Sequence, residues 1–188
     1  MRQTFIIATR FTLVTALLLG IGYPLLILVI AQGTMPAKAN GSLISVNGQV
    51  VGSRLLAQAF TGDRYFHPRP PAAGNGYDPL NSGGSNYSPS NQKLVTRIQG
   101  DIDKLHAENP AQPVPIDMVT TSGSGLDPEI SPAAVEFQIP RVAKARGISE
   151  TALRQIVQSN TTGRTLGLLG EPRVNVLELN LVLDGVKQ

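Results

Sequence analysis

Hydrophobic positions along this chain of 188 residues form one unbroken block, followed by short runs cut by glycine, proline and polar residues. The block lies in an uncharged stretch from Phe11 to Ala37, and its apolar core is FTLVTALLLGIGYPLLILVIA, Phe11–Ala31. A helix rises 1.5 Å per residue, so a segment of this length reaches roughly 31 Å, the thickness of a bilayer's hydrocarbon core. No water is present there to satisfy the backbone, and for a single segment only a helix satisfies it internally. A cleavable signal peptide is the rival reading, and Ala37-Lys38-Ala39 matches a small-x-small cleavage site. Signal h-regions are shorter than this one, which favours an uncleaved anchor. The expected organisation is a cytoplasmic N-terminus over 1–10, a transmembrane helix over 11–31, a linker over 32–41 and one extramembrane domain over 42–188. Arg2 and Arg10 precede the span and only Lys38 closely follows it, so the positive-inside rule places the domain outside the cytoplasm.

Beyond the anchor the patterning is of mixed type. Two short apolar runs flank Asn47-Gly48, a dipeptide that supplies the positive φ angles of a two-residue hairpin turn, so Ser42–Ser53 is expected as a β-hairpin. Arg54–Phe60 is expected as a short helix. From Thr61 to Pro89, proline and glycine deny the backbone a regular ladder, while Tyr65, Phe66, Tyr77 and Tyr87 favour a packed surface over disorder. Leu94, Ile98, Ile102 and Leu105 define one helix face, with Ser88 or Ser90 as cap and Asn109-Pro110 as stop. Ile116–Thr121 reads as a strand. Ser131-Pro132 opens a helix with proline at its first position. Pro140 is expected to kink or restart that helix before Gly147, and Ser149 caps the next, through about Gln158. RVNVLELNLVLD alternates, with Leu177, Leu179, Leu181 and Leu183 on one side, and reads as a long strand. The sum is one α+β or α/β domain.

Charge changes this picture little. All 13 acidic residues and 14 of the 16 basic ones lie beyond Ala37, so that part carries a net +1, and no basic block offers a nucleic-acid footprint. There is no cysteine, which excludes disulfides and thiolate metal sites.

Candidate chemistry is sparse. Neither G-x-x-x-x-G-K-[ST] nor G-x-G-x-x-G occurs. Ser122-Gly123-Ser124-Gly125 precedes a helix, where backbone N–H groups can cradle an anion, but no lysine follows to meet phosphates, and a tight loop capped by its own serines is the simpler reading. Ser82-Gly83-Gly84-Ser85 resembles the serine-glycine-glycine of a transporter signature loop and reads most simply as turn chemistry. The serines sit in no G-x-S-x-G elbow. His67 reads as a packed loop histidine and His106 as a surface residue near a helix C-terminus. Asp101 and Asp103 point to different helix faces and cannot act as a pair. Two histidines and scattered carboxylates make no metal site. Thr12, Ala16, Gly20 and Pro24 recur every four residues as a small-residue stripe that would let another helix approach closely.

Five blocks then stand in order behind the anchor: YFHPRPPA (Tyr65–Ala72), SGGSN (Ser82–Asn86), VTTSGSGLDPEISPAA (Val119–Ala134), QIPRVAKARG (Gln138–Gly147) and GEPRVNVLELNLVLD (Gly170–Asp184). With these the chain closely resembles, over essentially its whole length, the C subunit of the bacterial Kdp-type potassium-transporting ATPase. The resemblance implies a non-catalytic accessory subunit of the inner membrane. Its implied partners are a channel-like potassium-binding subunit, a P-type ATPase subunit and a small single-span subunit. It implies a role in assembly and a proposed one as catalytic chaperone, raising the ATPase subunit's nucleotide affinity. It implies no tightly bound cofactor, with ATP met only through the complex. Ser82, Gly83, Gly84 and Ser122–Gly125 are the candidate nucleotide-associated positions, and Tyr65, Phe66, His67 and Arg69 form the family-motif surface. Pro71 departs from the family pattern, in which serine is expected, so no hydroxyl can act there. The absence of D-K-T-G agrees with a part that takes up no phosphate. The alternative is an envelope domain on an anchor that binds a ligand or scaffolds another complex.

Overall fold

The computed structural model describes residues 1–186 and separates them into two units, one from Met1 to Leu43 and one from Ile44 onward. The first is built on a helix from Arg2 to Thr34, 33 residues long, which is long and apolar enough to cross a membrane. It consists of α1 (Arg2–Leu17), a π-helical turn (Leu18–Gly22) and α2 (Tyr23–Thr34). At the wide turn the Tyr23 N–H bonds to Leu18 O, five residues back. The next residue explains it: Pro24 has no N–H, and its ring would press on the Gly20 carbonyl in a regular helix. Widening the turn lets the rod continue. After Met35 a single turn, α3 (Pro36–Ala39), follows, with Asn40 bonded back to Gln32 and Pro36.

Next in the chain is the hairpin of β1 (Leu43–Val46) and β2 (Gln49–Ser53), turning at Asn47 and Gly48, both at positive φ. The helix expected over Arg54–Phe60 is absent. The buried Ser53 takes the Leu55 N–H on its hydroxyl, and the Ala57 N–H bonds to Leu126 O, so these donors serve a turn and a distant segment. The long proline- and glycine-rich stretch is irregular but packed, holding the fully buried Phe66 and Ala73. One 3₁₀ turn, Pro79–Asn81, lies in it, capped by Asp78.

Helix α4 (Gln92–Glu108) presents the expected face, but its cap is Asn91, whose side chain accepts from the Lys93 N–H. Ser88 and Ser90 bond instead to each other. The strand expected at Ile116–Thr121 is a 3₁₀ turn, Ile116–Met118. The Val119 and Thr120 N–H groups and the Thr120 hydroxyl all bond to Ile116 O, so local acceptors take donors that a sheet would need.

A three-stranded antiparallel sheet, ordered β3-β5-β4, follows from β3 (Glu129–Ile130), β4 (Thr161–Thr162) and β5 (Arg173–Asn175). Helix α5 (Pro132–Arg146) is capped by Ser131 and ends at Gly147 in the left-handed conformation. It passes through Pro140 without the expected restart. Losing one backbone bond costs about 3 kcal/mol, and buried Val135, Phe137, Ile139, Val142 and Ala143 on both sides of the proline offset that. Helix α6 (Glu150–Ser159) is capped by Ser149, as the sequence indicates.

The largest correction is at the C-terminal motif. Its alternating leucines do not make a long strand: β5 stops at Asn175 and α7 (Val176–Leu183) begins. The Asn175 side chain caps it by accepting from the Glu178 N–H, which gives Asn-x-x-Glu the spacing of a capping box. Val176, Leu179, Asn180 and Leu183 then fall at helical spacing and face the core. That core gathers around α5, with Leu153 and Val157 from α6, Val174 from β5, Ile130 from β3, and Met118 and Phe66 from loops. The domain is therefore mixed α+β.

Candidate functional site

Three of the sequence blocks meet, because each supplies what another lacks. The segment Asp63–Arg69 has no ladder of its own, yet Phe66 is fully buried, so its peptide groups need partners away from water. Two buried amides provide them. Asn180 on α7 accepts from the Phe66 N–H at 2.9 Å and donates to Phe66 O at 2.9 Å. Gln138 on α5 accepts from the His67 N–H at 2.8 Å and donates to His67 O at 3.1 Å. Each side chain thus pairs with the N–H and C=O of one residue, as a neighbouring strand would.

Two arginines of α5 close the edges. Arg141 donates to Asp63 O, Tyr65 O and Gln138 Oε1, and pairs with Glu108 at 2.8 Å. Arg146 donates to Arg64 O and Leu183 O, pairs with Asp184, and lies 5.2 Å from the centre of the Tyr65 ring. These arginine side chains are 12% and 7% exposed, so their charges are compensated in a setting where an unpaired ion would be costly. Tyr65 also donates to Asp184.

Of the family-motif residues, Tyr65 and Phe66 therefore belong to this strap. Arg69 turns the other way and donates to Thr120 O, Thr121 O and Asp127, tying the loop to the serine-glycine segment. Tyr77 donates to Arg69 O at 2.8 Å, and burial pushes its phenol up to about 12. His67 is half-buried; its Nε2–H donates to Gly62 O at 3.2 Å in the tautomer that this contact selects. Burial first, and the Arg141 cation second, hold its pKa below the ordinary 6.5. The unfolded chain takes up this proton below pH 6.5 while the folded domain resists it. This contribution is complete above that pH and shrinks as pH falls toward the folded-state value. His67→Gln is expected to flatten the loss of stability between about pH 6.5 and 5, measured by urea unfolding across that range. An unchanged slope would refute this role for His67.

The candidate nucleotide-associated residues also come together. Gly83 N donates to Ser124 O at 2.8 Å and the Ser82 hydroxyl donates to the same oxygen. A Cβ on Gly84 would lie 3.2 Å from Gly123 O, and one on Gly125 would lie 2.6 Å from both Ala73 N and Gly83 O. Within the second loop, Ser124 Oγ accepts from Leu126 N, Ser122 Oγ from Asp127 N and Ser122 O from Gly125 N. The glycines permit close backbone contact, and the serines cap their own loop.

Beside the strap, Phe60, His67, Pro70, Pro71, Tyr77 and Leu105 line a groove of about 350 Å³, with Asp101 and Lys104 among its walls. Asp101 pairs with Arg97 and Asp103 accepts from Gln99, so the two carboxylates are engaged separately. His106 is exposed. In the first unit, Thr12, Ala16 and Gly20 line one shallow groove with Phe11, Thr15 and Leu19; Pro24 is not among its walls. Gln138, Arg141, Arg146 and Asn180 were not singled out from sequence. For two of them a signal was present: Gln138 is a polar residue among Ala134, Val135 and Val142 at helical spacing, and Asn180 one among Val176, Leu177 and Leu183.

These features define a class: a protein with one apolar helix fit to span a membrane and one α+β domain whose irregular strap is bonded to two helices. The family model for the c chain of K⁺-transporting ATPases matches residues 5–185, and the chain belongs to that family. It is 57% identical over 187 residues to a potassium-transporting ATPase KdpC subunit of Koribacter versatilis, covering 100% of this chain and 97% of that protein. It is 50% identical to the subunit of that name from Methylobacterium nodulans, covering 98% and 96%. The like-named protein of Bradyrhizobium diazoefficiens is 53% identical, with 92% of each chain covered.

Proposed function

We propose that this chain is the accessory subunit of an ATP-driven potassium uptake complex of the cytoplasmic membrane, and that it carries out no catalysis itself. It assembles there with a channel-like potassium-binding subunit, a P-type ATPase subunit and a small single-span subunit. The observation that carries this reading is the match along nearly the full chain to proteins named as potassium-transporting ATPase subunits, joined to one membrane-fit helix. Arg2 and Arg10 before the span support a cytoplasmic N-terminus and a domain on the outer side. ATP is cytoplasmic, so a domain on that side cannot touch it. Any chaperone effect on nucleotide affinity then passes through the membrane helices as a coupling free energy of about 1–3 kcal/mol.

Two measurements test this. Co-expressed with the other subunits, the tagged chain should bring down the channel-like and ATPase subunits in mild detergent, and recovery of neither would refute the assignment. For topology, the chain has no cysteine, so Ser159→Cys at the exposed end of α6 gives a single reporter. It should react with a membrane-impermeant thiol reagent once the outer membrane is permeabilised. Labelling only after the inner membrane is breached would reverse the orientation.

A further inference from the structure

Strands β4 and β5 pair antiparallel, and the chain between them runs out as an arm whose tip is Arg164-Thr-Leu-Gly-Leu-Leu-Gly-Glu171. The tip exposes three leucines: Leu166 is 87% exposed, Leu168 80% and Leu169 64%. It is nevertheless tightly organised. Thr165 N donates to Leu169 O at 2.8 Å and Leu169 N donates back to Thr165 O at 3.0 Å. Arg164 closes the base by donating to both carboxylate oxygens of Glu171, at 2.8 and 2.7 Å. Leu166 stands at φ 54, a left-handed conformation that a branched side chain adopts at a cost, with Gly167 beside it at φ 73. Three apolar side chains are thus held in water, on a strained backbone, in one fixed shape.

We propose that this tip is a preformed apolar finger that seats in an uncharged apolar socket on another protein subunit, to which the chain is already tethered in the membrane. The proposal rests on the complex-subunit reading above and adds a docking element to it. Three observations select the occupant. A lipid surface favours free cations and interfacial tryptophan or tyrosine. The tip has no aromatic residue, and its one cation is neutralised by Glu171 at its own base. A fluid bilayer also gains nothing from a fixed, strained shape, whereas a shaped protein socket does, because the ordering entropy is removed in advance. Nor is a second copy of this chain favoured. Three leucines bury a few hundred Å² at most, short of the roughly 800 Å² per partner that holds two free proteins together. Such a small contact suffices when a membrane helix already supplies a high effective concentration.

The test uses the full chain, co-expressed with the other subunits in native membranes. A photoreactive benzoylphenylalanine replaces Leu168, and adducts are mapped by mass spectrometry after illumination. The expected result is an adduct at one defined site on a different subunit. In addition, the triple variant Leu166→Ser, Leu168→Ser, Leu169→Ser should retain roughly tenfold less of that subunit through a stringent detergent wash. Its unfolding midpoint should not fall, because the leucines are exposed. Adducts to lipid alone, or to a second copy of the chain, would overturn the proposal. So would the absence of any protein adduct while the unaltered chain still brings down its subunits. If the unaltered chain brings down none, the complex-subunit reading fails first and the finger with it.

Discussion

Asn180→Leu is expected to destabilise the extramembrane domain by about 4 kcal/mol, because it strands two buried polar groups at about 1–3 kcal/mol each. Leucine has the same number of side-chain heavy atoms as asparagine, is apolar and leaves no cavity, so lost packing is not the cause. The Phe66 N–H and C=O each lose their partner at a residue with no exposure, where water cannot replace it. Urea unfolding of the full chain in detergent, followed by near-UV circular dichroism, measures this. Gln99→Leu is the control, since Gln99 is exposed and its side chain donates to Asp103 one helical turn away; its effect should stay within about 0.5 kcal/mol. The Gln138→Leu change should be comparably large. The double variant should cost less than the sum, since either loss frees the adjacent residues Phe66 and His67 of the same strap. A cost below about 1 kcal/mol for Asn180→Leu would show that the strap finds other partners.

Gly125→Ala is expected to cost at least about 3 kcal/mol, of which only about 1–2 is the left-handed conformation at φ 69. The rest is collision. The new methyl would lie 2.6 Å from Ala73 N, 2.6 Å from Gly83 O and 2.8 Å from Ala72 C, all backbone atoms that cannot swing aside. Three segments distant in sequence would have to separate. Gly167→Ala isolates the conformational part, because Gly167 has a similar φ of 73 with nothing within 4 Å of the added methyl. The same unfolding measurement should show Gly125→Ala well above Gly167→Ala. Equal costs would mean that the serine-glycine loops do not depend on close approach.

Local chemistry explains which elements were legible. The apolar block, the Asn47-Gly48 hairpin, the α4 face, and the Ser131 and Ser149 caps are each decided by neighbours a few residues away. Three readings failed for one reason. At Arg54–Phe60, Ile116–Thr121 and Val176–Leu183 the apolar pattern suited more than one element, and hydrogen-bond partners made the choice. Ser53 and Leu126 drew donors away from a helix. Ile116 O took the donors a strand would have used. Asn175 capped a helix where alternation had indicated a strand. In the last case the Asn-x-x-Glu spacing was readable, and Val176, Leu179, Asn180 and Leu183 fit a helix as well as the leucines fit a strand. At Pro140 the restart does not occur, because residues on both sides of the proline are buried and hold one continuous helix.

By itself, then, the sequence determined the membrane-fit helix, the mixed class of the domain and, through five ordered blocks, the family. Each depends on composition, local periodicity or order along the chain. Tertiary structure alone decided why those blocks occur together. Residues 63–69 and 138–146 and the α7 segment, distant in sequence, satisfy one another's buried peptides and charges. A buried amide or guanidinium is stable only opposite a partner of matching geometry, and closure of the chain is what brings that partner within 3 Å.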